Sequence, residues 1–421
     1  SWRRRLSRDW GQLGMSFSEW REVKLSDVCE FKEGYVNPSQ KKAEYFGGKI
    51  KWIRANDLNN GYVFDTSRKL SNAGFKSAGK SALLFEPNTI VISKSGTIGR
   101  LGIIKDYMCG NRATINIRTN KHVADHRYIF YYLLSNQAEI EDMAVGSVQR
   151  NLYTSILGSI PLTLPPLEEQ KAIAQTLSCL DDKIELNNRI NKTLEEMAQA
   201  IFQSWFVDFE PFQDGEFEDS ELGRIPKGWR VGSLGDLLEN IKISEKSGEH
   251  LNDIPYVPID CIPMKSLGLN DFRPGEEAQS SLVRFSKNDI LIGAMRVYFH
   301  RVVLSPFDGV TRTTCFVLRP KQEFMLSYSF LLCNVDSTIE YANRTSKGST
   351  MPYAIWDGGL KDLKVIMPAS DVIRSFNELL YPLLRQVRDG LFENKNLQGI
   401  RNSLLPKLMS GEIRVPIEEV Q

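Results

Sequence analysis

Two segments of the chain place apolar residues at steps of three and four over about 40 positions. In the first segment these residues are Ile173, Leu177, Leu180, Ile184, Leu194 and Ile201. In the second they are Phe376, Leu380, Leu383, Val387, Leu397 and Leu404. This heptad-like spacing predicts two α-helices of about 60 Å that contact each other through these positions. Polar residues interrupt both stripes midway, at Asn187 and Asn191 and again at Gly390 and Asn394.

Shorter β-branched runs with turn signals between them precede each long stripe. Ile90–Ile92, Ile103–Ile104 and Ile115–Ile117 predict strands in the first half, and Ile290–Ile292, Val302–Val303 and Phe316–Leu318 predict strands in the second. The segments Tyr128–Met143 and Tyr328–Ala342 each predict one helix. The pattern therefore predicts a mixed α/β domain of about 145 residues before each long helix, which is large enough to bury a core.

Residues about 200 positions apart match in the same order along the two halves. Trp20-Arg21 recurs as Trp229-Arg230, Phe85 and Asn88 recur as Phe285 and Asn288, and Gly146-Ser147 recurs as Gly348-Ser349. One such match carries little weight, but many in one order indicate an internal duplication.

The predicted fold class is α+β, with two similar mixed α/β domains separated by two long antiparallel helices in a pseudo-twofold symmetric coiled coil. The predicted boundaries are an N-terminal extension 1–16, a first α/β domain 17–165, a first long helix 166–207, an acidic linker 208–226, a second α/β domain 227–368, a second long helix 369–411 and a C-terminal tail 412–421. Met15 is interpreted as a natural start.

The antiparallel orientation follows from connectivity. The second α/β domain begins where the first long helix ends, and it ends where the second long helix begins. Because the termini of a domain often lie close together, the second helix is expected to run back along the first. Leu177 is then expected to oppose Leu404 or Leu408 and not Leu380. The alternative is two amphipathic helices, each lying on its own domain.

Composition excludes several classes of protein. Hydrophobic residues make up 42% and charged residues 25% of the chain, and the net charge is +1. These values are typical of a folded soluble protein, and no apolar run reaches the length of a membrane span. Six cysteines without a C-x-x-C pair and four histidines predict no metal site. A reduced, cytoplasmic protein is the simplest interpretation.

The motifs that suggest catalysis have simpler explanations. Gly96, Gly99 and Gly102 fit neither a phosphate loop nor a dinucleotide fingerprint, and a turn between strands explains them better. Glu169-Gln170-Lys171 resembles the last part of a nuclease motif, but it lacks an upstream acidic partner on a strand and is better explained as a helix start. We therefore expect no catalytic residues and no cofactor in this chain.

Basic residues are concentrated in equivalent places in the two halves. On this basis the predicted DNA-binding residues are Lys94, Arg100, Arg112, Arg118, Gln149, Arg150, Arg284, Lys287, Arg296, Arg301, Arg312 and Lys347. Such residues suit phosphate contacts and the reading of guanine by arginine. Gln149, Arg150 and Lys347 lie in polar loops before the long helices, where a plain connector is an equal alternative. A solvated strand face is the alternative for the basic stretches.

Several sequence segments resemble one family. These are Ile160–Ala174, which contains Pro-Pro-Leu-Glu-Glu-Gln-Lys, together with Leu180–Ile184, Ala200–Phe209 and Ile225–Trp229. As a set they resemble the specificity subunit of type I restriction–modification systems, over essentially all of 17–411. The second copy departs from this pattern, because Met367–Asp371 stands where the first copy has the fuller motif.

The resemblance implies a DNA-binding subunit without catalytic activity. Each α/β domain would be a target-recognition domain that reads one half of a bipartite duplex site, and the helix pair would set the spacer. Two modification subunits with S-adenosylmethionine would dock on the helices and methylate adenine, and restriction subunits using ATP and magnesium would complete the complex. The alternatives are a coiled-coil adaptor that does not read DNA and a restriction enzyme that acts alone.

Overall fold

The computed structural model describes residues 20–146, 150–279 and 281–415. The chain forms two compact units: unit 1 contains the chain up to Asp182 and from Leu397 onward, and unit 2 contains Lys183–Asn396. Both boundaries fall inside the long helices, so each unit contains part of both. None of the helices in the described ranges is long and apolar enough to cross a membrane.

Unit 1 combines short strands with short helices before the first long helix. Its strands are β1 (Arg21–Lys24), β2 (Cys29–Glu33), β3 (Phe46–Ile53), β4 (Gly61–Val63), β5 (Lys69–Leu70), β6 (Ile90–Ser93), β7 (Leu101–Ile104), β8 (Met108–Gly110), β9 (Thr114–Thr119) and β10 (Pro161–Leu164). Its short helices are α1 (Leu25–Val28), α2 (Asn72–Lys76), α3 (His126–Ser135), α4 (Gln137–Asp142) and α5 (Thr154–Ser159). The first long helix, α6, spans Leu167–Phe206.

A five-stranded sheet in the order β2-β9-β6-β7-β4 holds the core of unit 1. Every residue of β6 and β7 is buried, as expected for apolar central strands. A second sheet has the order β5-β3-β8, and β1 pairs with β10 just before α6.

Unit 2 repeats this plan after an additional hairpin. Its strands are β11 (Phe217–Ser220), β12 (Gly223–Pro226), β13 (Arg230–Ser233), β14 (Leu238–Asn240), β15 (Ser244–Glu245), β16 (Tyr256–Val257), β17 (Leu282–Phe285), β18 (Ile290–Gly293), β19 (Val302–Leu304), β20 (Gly309–Arg312), β21 (Cys315–Pro320) and β22 (Lys364–Met367). The helices are α7 (Leu234–Leu237), α8 (Leu326–Asn334), α9 (Asp336–Arg344) and the second long helix, α10 (Ser370–Met409). The two larger sheets have the orders β14-β21-β18-β19 and β15-β17-β20-β16, and β13 pairs with β22.

Equivalent hydrogen bonds in the two units confirm the internal duplication. Leu25 N donates to Ile160 O at 3.0 Å, and Leu234 N donates to Leu363 O at 2.9 Å. The buried hydroxyl groups behave alike, because Tyr128 donates to Thr163 O at 2.8 Å and Tyr328 donates to Ile366 O at 2.5 Å.

Each helix predicted after the third core strand is broken into two. In unit 1 the break falls at Asn136, whose side-chain Nδ2 donates to Tyr132 O at 2.7 Å. Asparagine side chains that bond to the preceding turn compete with helix continuation. In unit 2 the break falls at Val335, which has an extended backbone.

The acidic segment 208–226, predicted to be a linker, contains regular structure. β11 and β12 form an antiparallel hairpin, and Phe209 and Phe212 pack against the core of unit 2. Their rings lie 5.8 and 4.9 Å from that of Trp229. Because the segment is rich in acidic residues, its sequence did not predict that these aromatic residues would anchor it to unit 2.

The long helices run antiparallel, as the connectivity predicts. In unit 1, Leu177 of α6 packs in the same core cluster as Leu405 and Leu408 of α10. In unit 2, Phe206 of α6 packs in the same core cluster as Phe376 of α10. The start of each helix therefore meets the end of the other, and the alternative of each helix lying only on its own domain is wrong.

Buried amides meet at the polar interruption of the helix pair. Asn187 Nδ2 donates to Asn394 Oδ1 at 3.0 Å, and Asn394 Nδ2 donates to Asn188 Oδ1 at 2.8 Å. Gly390 faces Asn191, and a Cβ at Gly390 would lie 2.7 Å from Asn191 Oδ1. Only one relative position of the two helices satisfies these contacts, so the asparagines favour a single register.

The predicted contact positions differ in burial. The buried ones are Ile173, Leu177, Ile184, Leu194, Phe376, Leu380 and Val387, and the half-buried ones are Leu180, Ile201, Leu383, Leu397 and Leu404. In α10 the neighbouring Leu384 and Leu405 are buried instead, each about 6% exposed. At these two places the buried residue of α10 is therefore one position later than predicted, whereas Phe376, Leu380 and Val387 are buried as predicted.

Candidate nucleic-acid interface

Loops from several strands meet at one end of the main sheet of unit 1. Lys94 N donates to Ala113 O at 2.8 Å, and Leu152 N donates to Lys94 O at 2.9 Å. We call this end the outer edge of unit 1 and define it as residues 33–36, 53–57, 93–100, 111–113 and the described part of 145–152. At the opposite end, Arg118 and Thr119 share a cleft of about 810 Å³ with Leu167 and Lys171 of α6, so we call that end the helix side.

Unit 2 has an equivalent outer edge with the same backbone hydrogen bonds. Ala294 N donates to Thr314 O and Ala354 N donates to Ala294 O, both at 2.9 Å. The outer edge of unit 2 is defined as residues 257–262, 293–301, 311–314 and 345–354. In both units the last loop closes on itself, through the pair Val145 and Asn151 and the pair Lys347 and Tyr353.

Five of the predicted DNA-binding residues are exposed at these edges. They are Arg100 and Arg112 in unit 1 and Arg296, Arg312 and Lys347 in unit 2. Among the described residues, none of these side chains has an ion-pair or hydrogen-bond partner. They are therefore available to an anionic ligand.

Three other predicted residues at the outer edges are engaged within the protein. Lys94 Nζ lies 2.5 Å from Glu33 Oε2, with both side chains at most 20% exposed. Arg150 donates to the carbonyls of Ala144, Glu141 and Asp142 at 2.8–3.2 Å, which caps the end of α4. Arg301 donates to carbonyls in the turn 259–262, including that of Ile259 at 3.0 Å. These three side chains therefore stabilise the structure of the outer edges.

The remaining predicted residues do not join these clusters. Arg118, on the helix side, lies 2.7 Å from Glu86, and its guanidinium lowers the pKa of that carboxyl group. Lys287 follows β17 at the end away from Arg312 and is exposed. Arg284 pairs with Glu245. The Arg284 guanidinium and, to a smaller extent, His250 lower the pKa of Glu245 to about 2. Gln149 lies outside the described residues.

Sequence reasoning missed the aromatic residues of the outer edges. Tyr35 in unit 1, and Tyr298, Phe299 and Tyr353 in unit 2, are 39–50% exposed, and Tyr153, which directly follows the last loop of the unit 1 edge, is 49% exposed. For Tyr153, Tyr298 and Phe299, the sequence signal is an aromatic residue within three positions of an arginine in a loop.

The structure explains the apparent catalytic motifs in other ways. Gly96 and Gly99 lie in the turn between β6 and β7 with φ of +76° and +84°, which confirms the turn interpretation. Glu169, at the start of α6, is 1% exposed and accepts from Arg414 at 2.5 and 2.9 Å and from Trp20 Nε1 at 3.0 Å. Gln170 bonds the backbone at Asp125, Val123 and Pro165. Both side chains therefore hold the helix start in place.

The described part of the chain has no cluster of metal ligands, and three of its buried thiols have raised pKa values. No group of three or more His, Cys, Asp or Glu side chains there could hold a metal ion. Burial raises the pKa of Cys29, Cys109 and Cys333 to about 12, so these thiols are poor nucleophiles at neutral pH.

Comparison with known proteins gives a consistent family. The family model for the type I restriction modification DNA specificity domain matches residues 17–196. The type I restriction enzyme MjaIX specificity subunit of Methanocaldococcus jannaschii is 30% identical over 96% of this chain and 95% of that protein. The HindI specificity subunit of Haemophilus influenzae is 24% identical over 70% of this chain and 79% of that protein.

A solved structure supports the fold. The type I restriction–modification S subunit from M. genitalium aligns with a TM-score of 0.57 and 18% sequence identity, covering 93% of this chain and 96% of that chain. With 30% identity to MjaIX over nearly its whole length, this chain belongs to the specificity subunits of type I restriction–modification systems, which are their non-catalytic DNA-recognition subunits.

Proposed function

We propose that the two outer edges each read one half of a bipartite duplex DNA site. The observation that carries this proposal is the duplicated frame: the same two backbone hydrogen bonds organise both edges, and both expose arginines without an internal partner. Arginine can bond O6 and N7 of guanine together in the major groove or contact phosphates. The loops around these arginines differ in sequence, so the two half-sites should differ.

The antiparallel helix pair, in this proposal, sets the spacer between the two half-sites. Each helix has 40 residues, or about 60 Å of length. The amides of Asn187 and Asn394 and the ion pair between Arg401 and Asp181, at 2.6 Å, oppose sliding of one helix along the other. A fixed register allows only one spacing between the half-sites.

We further propose that the outer faces of the long helices dock two modification subunits. Leu186, Ile190 and Met197 are 37–51% exposed on α6, and Ile400, at the position of α10 equivalent to Met197, is 48% exposed. Leu186, Ile190 and Met197 are separated by four and seven residues and so share one face of α6, and an exposed apolar stripe of this kind is typical of a protein-binding face. Restriction subunits would join this assembly in the cytoplasm, and S-adenosylmethionine, ATP and magnesium would be bound by the partner subunits.

The test uses the complex of this chain with its modification subunits and half-sites obtained by selection from random duplexes. Arg112→Ala should weaken binding at the half-site of unit 1, and Arg312→Ala at that of unit 2, by about 5- to 150-fold for each lost base contact. Arg21→Ala and Arg230→Ala are matched controls, because both are exposed arginines at equivalent positions of β1 and β13, away from the outer edges. Unchanged DNA affinity in both edge variants would support the adaptor alternative.

A further inference from the structure

A short turn at the outer edge of unit 2 has an unusual backbone. The 3₁₀ turn Val297–Phe299 lies between Arg296 and His300, whose φ angles are +49° and +53°. The left-handed conformation is unfavourable for residues with a Cβ, and two such residues around one turn persist only where the surroundings hold them.

Contacts on both sides hold this turn in place. Val297 is 2% exposed and belongs to the core of unit 2. His300 is buried, its Nδ1 lies 3.3 Å from Asp336 Oδ1, and its carbonyl accepts from Lys265 N at 2.9 Å. Arg296 N donates to Pro352 O at 2.7 Å, which ties the turn to the last loop of the edge. The turn is therefore rigid.

The rigid turn presents two aromatic rings to solvent. Tyr298 is 48% and Phe299 39% exposed, and their ring centroids lie 4.9 Å apart. In the described part of the chain they are the only adjacent pair of exposed aromatic side chains. Met351 and Tyr353, in the loop bonded to the turn, are also 48% and 46% exposed. Exposed apolar side chains in such a group usually mark a binding surface.

The equivalent turn of unit 1 lacks this feature. It lies between Ser93 and Arg100, which make the backbone hydrogen bond that Gly293 and Arg301 make in unit 2. Its exposed residues are Gly96 and Thr97, and its one large apolar residue, Ile98, is buried. The aromatic pair is thus an addition to the shared frame in unit 2.

We propose that Tyr298 and Phe299 form an apolar wedge that inserts at one base step of the half-site read by unit 2, an inference that rests on the proposed function. Exposed cations of the same edge favour a nucleic-acid ligand, since Arg296 is close to the pair in the chain and Arg312 also belongs to this edge. Aromatic rings held by a rigid backbone can stack on unstacked bases, and apolar wedges in DNA-binding proteins kink the duplex at the inserted step. Unit 1 reads its half-site without such distortion.

The experiment uses the complex with the modification subunits and duplexes carrying 2-aminopurine at each step of the unit 2 half-site in turn. Binding should raise the fluorescence at one step other than the target adenine, which a methyltransferase extrudes by itself, because unstacking by the wedge exposes the probe. The double variant Tyr298→Ala with Phe299→Ala should abolish that rise and lower affinity by about 5- to 150-fold. Tyr298→Leu with Phe299→Leu, which keeps apolar bulk, should retain part of both. Tyr107→Ala is the control, because Tyr107 is 59% exposed in a turn on the helix side of unit 1.

A second measurement uses an abasic site at the responsive step. It removes the stacking that insertion must break, so it should tighten binding of the natural protein and tighten the double alanine variant much less. The wedge is overturned if the double alanine variant binds DNA as tightly as the natural protein does, or if the natural protein shows no responsive step. If the double alanine variant no longer binds the modification subunits but keeps its DNA affinity, Tyr298 and Phe299 instead form a protein-binding patch. If the natural complex does not distinguish its half-sites from random DNA, the proposed function fails and the wedge with it.

Discussion

The helix side and the outer edge of the two units differ in how closely the copies agree. On the helix side, Asn88 and Asn288 both have φ of +70°, and Tyr128 and Tyr328 make the same hydrogen bond. At the outer edge the backbone frame is shared but the side chains differ. The comparison shows that one scaffold carries two different surfaces, since the packing that must be kept lies away from the loops that can vary.

One pair of arginines at equivalent positions shows how the side chains of the two outer edges differ. Arg100 and Arg301 have matching backbone hydrogen bonds to Ser93 and Gly293. Arg100 is exposed, whereas the guanidinium of Arg301 is used by the carbonyls of the turn 259–262. Unit 2 exposes Arg296 and the aromatic turn nearby instead. Equal position in the fold therefore does not give equal availability to a ligand.

The largest effect is expected from truncation on the helix side. Phe376 is fully buried among Phe202, Trp205 and Phe206, so Phe376→Ala should lower the free energy of unfolding by about 3–5 kcal/mol. Urea unfolding measures this loss, and hydrogen exchange followed separately in each unit should show that the loss is greatest in unit 2. Leu379→Ala is the control, because Leu379 is 47% exposed on the same helix. Equal losses in both variants would contradict the burial of Phe376.

The next effect concerns an ion pair between the long helices in unit 1. Arg401 Nη1 lies 2.6 Å from Asp181 Oδ1, with side chains 16% and 11% exposed, and Tyr131 also donates to Asp181. Arg401→Met should cost about 2–3 kcal/mol, somewhat less than for a fully buried pair, because it leaves Asp181 without a cation. Lys183→Met is the comparison, since Lys183 and Glu393 are about half exposed and should contribute no more than about 1 kcal/mol. Chemical denaturation of both variants measures the difference, and equal losses would argue against it.

Coupling between leucines should distinguish neighbours from distant sites. Leu177 and Leu408 share a core cluster, so their double-mutant cycle to alanine should give a coupling of about 0.5–3 kcal/mol. Leu177 with Leu380 should be additive within about 0.5 kcal/mol, because Leu380 belongs to the core of unit 2. The reverse result from equilibrium unfolding would refute the antiparallel register.

The smallest expected effect is a pH dependence in unit 2. Arg284 lowers the pKa of Glu245 from 4.5 to about 2, so the pair stabilises the fold above pH 4.5 and this contribution is lost as the pH falls towards 2. The stability difference between the natural protein and Glu245→Gln should therefore shrink over that range. Unfolding midpoints measured from pH 7 to pH 2 check this. A difference that grows with acid would contradict the assigned cause.

The duplication and the long helices could be predicted because both depend on spacing along the chain. Which basic side chains are free to bind a ligand could not be predicted, because this depends on partners that are distant in the sequence. Lys94 pairs with Glu33, and Arg301 donates to carbonyls of residues 259–262. The burial of Leu384 and Leu405 in place of Leu383 and Leu404 depends on how the helices pack. The aromatic turn depends on backbone angles at Arg296 and His300 that their residue types do not favour.

The central claim is that the helix pair fixes the distance between two half-sites. The most direct measurement is the affinity of the complex for duplexes that keep both half-sites and vary only the spacer between them. We predict maximal affinity at one spacer and a large loss when about five base pairs, or half a helical turn, are added or removed. Equal affinity across the series would contradict the claim.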